Sequence, residues 1–176
     1  DDRARLAARA AQLTEPVRAA TVAADRASVL DRLDELAAEP SVQARLDRAA
    51  RLLGGALAGD IVIVALTSAD GEWLERFGVH HPDAAAEEQL RRLVDQRVRV
   101  GENRSSSVLI DGRPLFVPTM SPEEYRAGSP ARFAGFFEQW PAHGTTAVPL
   151  RAAGGEAVAV GALTTVRLRA GDPYTT

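Results

Sequence analysis

Few side chains in this sequence are equipped for chemistry, and their spacing limits what they can do. The three histidines are His80, His81 and His143. Neighbours on an extended chain point to opposite sides, and no cysteine or well-spaced third ligand accompanies His80 and His81. The pair therefore reads as surface loop residues and not as a metal site. Arg104 precedes Ser105, Ser106 and Ser107 at a predicted helix start. Free N–H groups, hydroxyls and a guanidinium converge there, which can hold an anion or simply cap the helix. Serine, histidine and aspartate are all present, yet no Gly-x-Ser-x-Gly elbow exposes a nucleophile and the histidines sit in turn-like contexts. The chain has neither cysteine nor lysine, which removes disulfides, thiol nucleophiles, thiolate metal ligands and lysine-based catalysis. These residues do not read as an enzyme's.

The densest pattern is aromatic. Phe133, Phe136, Phe137 and Trp140 recur at helical spacing and give one apolar face to a helix predicted over 130–140. Such a stripe is ordinarily core. The strand-like runs that follow carry Thr145, Thr146, Thr164 and Thr165, and alternation sends only one of each adjacent pair inward.

The elements that must position these residues follow from periodicity and punctuation. Residues 3–39 are rich in Ala, Arg, Leu, Asp and Glu, with Pro16 the strong breaker, and predict a short helix and a longer amphipathic one carrying Val22, Val29, Leu33 and Leu36 on one stripe. Ser41 reads as the N-cap of a helix over 42–57 that turns Leu46, Ala49, Ala50, Leu53 and Leu57 inward. The β-branched run 61–66 fits a central strand, closed by Ala69-Asp70-Gly71 and followed by a hairpin partner over 73–79. Pro82-Asp83 opens a helix whose Glu87, Glu88, Arg91, Arg92 and Asp95 have the mixed signs of a solvated face. A short strand over 98–100, a weak helix over 105–110, a strand over 115–118 and a capped turn at Ser121-Pro122-Glu123-Glu124 come next. Strands over 145–150 and 157–168 flank the turn Ala153-Gly154-Gly155-Glu156. Asp172-Pro173 resembles a helix opening, which suggests an excised piece with more protein downstream.

With 176 residues, 45% hydrophobic and 26% charged, the chain should form a single core. A net charge of −3 and the lack of an evident basic patch argue against nucleic acid and anionic membranes as partners. No apolar run has the length of a membrane span, and Asp1-Asp2-Arg3 is unlike a signal peptide, so a cytoplasmic location is expected. The exclusive use of arginine and the heavy use of alanine suggest the coding bias of a G+C-rich genome.

The order of elements over 41–176, read with four local motifs, resembles the GAF family of sensor domains. The first motif is the helix leading into Asp60-Ile61-Val62-Ile63-Val64. The second is Asp111-Gly112-Arg113-Pro114-Leu115-Phe116-Val117-Pro118. The third, and most specific, is Thr145-Thr146-Ala147-Val148-Pro149-Leu150-Arg151 with Val158-Ala159-Val160-Gly161-Ala162-Leu163 after Gly154-Gly155. The last is Tyr174-Thr175-Thr176, where such domains run into a terminal helix. The resemblance implies an α+β fold, an antiparallel sheet of five or six strands with helices on both sides, preceded by a signalling or dimerisation segment over 1–40. It implies a bacterial regulatory domain that binds an unidentified small molecule, forms a homodimer and passes a conformational bias to an output module of the same polypeptide.

In that arrangement the aromatic helix walls a ligand cavity, which nominates Phe116, Tyr125, Phe133, Phe137, Trp140, Thr145, Val148 and Thr165 as lining residues. His143 stands where a family member could place a haem ligand, and also where a plain helix-end histidine would sit. The run Gly101-Glu102-Asn103-Arg104-Ser105-Ser106-Ser107 departs from the family's glycine-alternating helix start, which weakens the expectation of ligand contacts from that segment. Missing cysteine excludes covalent bilin and redox sensing, and missing lysine argues against cyclic-nucleotide binding; haem is likewise disfavoured, and the cofactor stays unassigned. Two further readings remain open. One is a ligand-free dimerisation or docking module; the other is an enzyme related to the methionine-sulfoxide reductases, which the lack of cysteine opposes.

Overall fold

A computed structural model describes residues 35–56, 61–152 and 158–171. Most of the segment 1–40, the turn at 153–157 and the final residues 172–176, on which several of the expectations above fall, lie outside the described residues. The centre of the molecule is β1 (Ile61–Thr67), whose β-branched residues suit a strand buried on both faces. Ile61 and Val62 are fully buried on opposite faces, and burial of each such side chain contributes about 1.5–3 kcal/mol. On one side β1 pairs with β2 (Trp73–His80), on the other with β6 (Ala159–Arg167). β5 (Gly144–Arg151) and β4 (Leu115–Val117) extend the β6 side, and β3 (Val98–Arg99) caps the β2 side. The result is a six-stranded antiparallel sheet in the order β3-β2-β1-β6-β5-β4.

Helix α1 (Val42–Ala56) starts where expected, with Ser41 Oγ accepting from the Ala44 N–H at 3.1 Å. It lays Leu46, Ala49 and Ala50 on Val62 and Val64. The approach is close because Gly78 of β2 has no side chain: a β-carbon there would run into the Leu46 carbonyl. The opposite face is covered by α2 (Ala84–Val94), α3 (Val108–Asp111), α4 (Pro122–Ala127) and α5 (Ala134–Gln139). There Ile61, Val79, Leu90, Val94 and Val166 pack with Phe133, Phe136 and Phe137.

Two local expectations need correction. The helix predicted over 130–140 is broken into a 3-10 turn at Ala131–Phe133 and the short α5. Gly135 lowers helix propensity there, and a tight 3-10 turn commonly begins such a segment. The stripe survives the break, with all three phenylalanines buried. The charged face of α2 is only partly solvated. Glu88 and Arg92 are exposed, but Arg91 donates to Asp47 of α1 at 2.6 Å, to Glu87 at 3.2 Å and to the Val79 carbonyl at 3.3 Å. Partial burial acts to lower the Arg91 pKa, but the hydrogen bonds to Asp47 and Glu87 outweigh it and hold the guanidinium above its ordinary value. The Arg91–Asp47 contact thus links the two helices that cover opposite faces of the sheet.

The contact at Gly78 predicts that Gly78→Ala forces α1 off the sheet. Overpacking of this kind costs about 1–3 kcal/mol, read as a lower thermal unfolding midpoint; an unchanged midpoint would show that α1 does not sit this close.

Candidate functional site

The strict alternation of the strands assigns each side chain to a face. Val62 and Val64 look toward α1, so their partners Thr165 and Leu163 on β6 do too, and through those so do Thr146 and Val148 on β5 and Phe116 on β4. The other face carries Ile63 and Ala65 of β1, Ala162 and Thr164 of β6, and Thr145 of β5. Ala65 and Ala162 are direct cross-strand partners, so the middle of this face lacks bulk beside the point where Val108 and Leu109 of α3 pack on it. The space left is a cavity of about 80 Å³. One water needs roughly 10–15 Å³ by the same measure, so the cavity has room for a small molecule.

The floor is Ile63, Ala65, Thr145, Ala162 and Thr164; Leu74 and Phe77 of β2 with Leu90 and Val94 of α2 form one wall. Tyr125, Pro130, Phe133 and Phe137 form the roof, where Tyr125 meets Phe137 edge-on at 4.7 Å. Met120 also borders the space. At the mouth stand Asn103, Arg104 and Ser105 opposite Gly128 and Ser129, with Ser106 buried behind them. The mouth is held by local bonds. Asn103 Oδ1 accepts from the Ser106 N–H at 2.7 Å, and Ser106 Oγ accepts from the Gly101 N–H at 2.9 Å while donating to the Asn103 carbonyl at 3.0 Å. Ser129 Oγ donates to the Tyr125 carbonyl at 2.9 Å.

On the far side, α4 is fixed by a capping box: Ser121 Oγ accepts from the Glu124 N–H at 3.2 Å, and the Glu124 carboxylate accepts from the Ser121 N–H at 2.9 Å. The Ser121 backbone N–H, then its hydroxyl, hold the Glu124 carboxyl below its ordinary pKa. A second depression of about 300 Å³ is lined largely by charged residues, among them Glu75, Glu88, Arg92 and Asp95, and lacks the apolar walls of the first.

Of the residues nominated from sequence, Tyr125, Phe133, Phe137 and Thr145 meet at this cavity. Phe116, Val148 and Thr165 do not, because register puts them on the α1 face, where Phe116 is 45% exposed and Thr165 meets the Thr146 hydroxyl at 2.8 Å. Trp140 lies beyond the cavity, stacked near Phe136 at 4.9 Å. Missed from the nominated set were Thr164, Phe77 and Arg104. The run 103–106 lines the cavity despite its departure from the family pattern, and Asn103 is its cap.

Two of the histidines, His80 and His81, differ from expectation. His81 is buried, its Nδ1 accepts from the Asp83 N–H at 2.9 Å, and its ring meets Phe136 and Trp140 edge-on. His80 ends β2, against Gly54 and 3.5 Å from Glu87. His143 lies in the connection into β5, its N–H donating to the Arg167 carbonyl at 2.7 Å. Among the described residues, no three histidine or carboxylate side chains converge in the manner of a metal site. No described helix is long and apolar enough to cross a membrane.

This architecture is shared with solved GAF domains. The GAF domain of a phosphoenolpyruvate-protein phosphotransferase from Coxiella burnetii superposes with a TM-score of 0.63 at 16% identity, covering 87% of this chain and 83% of that one. The nlh2 GAF domain from A. aeolicus, in an inactive state, gives 0.58 at 17% identity, covering 83% and 80%. A free methionine-R-sulfoxide reductase from Neisseria meningitidis, in complex with its substrate, gives 0.57 at 17% identity, covering 85% and 76%. No protein-family model matches the sequence, and no curated protein does.

The capping box that positions Tyr125 carries a pH signature. With the folded pKa of Glu124 depressed, the cap's contribution is present above the ordinary value of 4.5 and is lost as pH falls through the lower folded value. Carboxyl-carbon NMR should place the Glu124 midpoint below 4.5, and Ser121→Ala should move it part of the way back. A midpoint at the ordinary value would show that the box is not formed in solution.

Proposed function

We propose that this domain, which has the fold of GAF domains, is the small-molecule-sensing regulatory part of a larger signal-transduction protein and has no chemistry of its own. The observation that carries the reading is the cavity between sheet and roof, apolar on most sides, with Thr145 and Thr164 on the floor. Such a space, with a few polar groups set in apolar walls, has the character of a small-molecule site.

The route outward is short. Gln43 of α1 donates its side-chain amide to the Phe77 carbonyl at 2.7 Å, and the Phe77 ring lines the cavity. Whatever moves Phe77 moves a contact of α1, and helices at the ends of the domain would carry that motion to an output module of the same polypeptide, with two copies paired as a homodimer. A ligand shifts such an equilibrium only by binding one state better than the other.

Native mass spectrometry of protein purified from its expression host should show a mass excess that disappears on denaturation. Ala162→Leu, which fills the floor, should remove that excess while leaving far-UV circular dichroism unchanged. No excess in the parent protein, together with no thermal shift across a metabolite panel, would leave a ligand-free dimerisation or docking module instead. Light scattering at high concentration should give twice the chain mass; a monomer there would remove the homodimer from the scheme.

A further inference from the structure

We infer that the ligand of this cavity is a small monocarboxylate with an apolar body, its carboxylate paired with Arg104 at the mouth; this rests on the sensing role proposed above. Burial gives the cavity a direction. The floor residues Ala65, Thr145, Ala162 and Thr164 are buried, whereas Arg104 is exposed and Asn103, Ser105, Gly128 and Ser129 are half-buried. A ligand therefore enters past Arg104 and buries its far end against the sheet. Among the described lining residues Arg104 carries the only charge, with no carboxylate to match it, so the site favours an anion and disfavours a cation. The remaining walls, Leu74, Phe77, Phe133 and Phe137 among them, offer the rest of the ligand no charge and little hydrogen bonding.

The guanidinium is available for that role. Among the described residues Arg104 forms no ion pair and no side-chain hydrogen bond. Glu102, two residues before it, pairs with Arg132 at 3.7 Å, and Glu124, which feels the Arg104 charge, is occupied by the Ser121 capping box. Gly128 faces Arg104 across the mouth. A β-carbon there would lie 3.0 Å from a guanidinium nitrogen, so the bare backbone leaves the side chain room at the rim. A guanidinium presents paired donors that match the two oxygens of a carboxylate, which a neutral amide cannot reproduce.

The test is isothermal titration of the full chain with benzoate, phenylacetate and 4-methyl-2-oxopentanoate. Their neutral counterparts are benzamide, phenylacetamide and 4-methyl-2-pentanone. The carboxylates should bind at least about tenfold more tightly, as one charge-assisted contact implies. Arg104→Gln should erase that preference without weakening the neutral compounds, and Arg104→Lys should keep part of it. Equal binding of acids and neutral partners, or a preference that survives Arg104→Gln, would overturn the carboxylate assignment and leave the cavity reading standing. Failure of every probe while the native mass excess persists would overturn the assignment in the same way. Failure of every probe with no native mass excess would remove both.

Discussion

Everything in this molecule depends on β1 being buried on two faces at once. Its odd-numbered residues Ile61, Ile63 and Ala65 face the aromatic layer and its even-numbered Val62, Val64 and Leu66 face α1, with β2 and β6 hydrogen-bonded on either edge. A slip of one residue would exchange the two sets and place Ala65 beneath α1 and Val64 in the cavity. The small side chain needed for an open floor and the larger ones needed beneath a helix are thus interleaved on one strand. Register and cavity are the same constraint seen from two sides.

That constraint also explains which parts were legible. Element order, the hairpins and α1 could be read from local signals: Ser41 as a cap, the β-branched run of β1, Pro82-Asp83 at the head of α2. The break of the aromatic helix and the burial of His81 were not, since both are decided by how segments distant in sequence pack. His81 looks like a loop residue in its local context, yet the rings of Phe136 and Trp140 close over it.

The site was half legible for a related reason. Aromatic spacing marked Phe133 and Phe137 as one helix face, and the family resemblance placed them, with Tyr125, at a cavity wall. The floor required knowing strand parity, and β5 is apolar at consecutive positions, Ala147 and Val148, so no polar alternation marks which face is inward. Only the pairing of Thr145 with Val166, and through Val166 with Ile61, decides that Thr145 faces the cavity and Val148 does not. The same pairing sends Thr164 inward and Thr165 outward. Arg104 was recognised as a possible anion contact beside its serines, but its place at the rim of a cavity depends on α4 and Gly128 arriving from the other side.

A sheet one residue thick would have a mechanical consequence for the sensing role proposed above. Phe77 and Gly78 are neighbours on β2, the first with its ring at the cavity and the second beneath the Leu46 carbonyl of α1. The Gln43 amide ties α1 to the Phe77 carbonyl between them. In a close-packed interior neither neighbour can move far without the other. A ligand that displaced the Phe77 ring would therefore strain the seat of α1, whereas one that filled space against Ala65 and Ala162 without moving β2 would bind and report nothing. In the sensing role proposed above, affinity and signal would be separable: Arg104 and the apolar walls would govern the first, and the Phe77-Gly78 step in β2 the second.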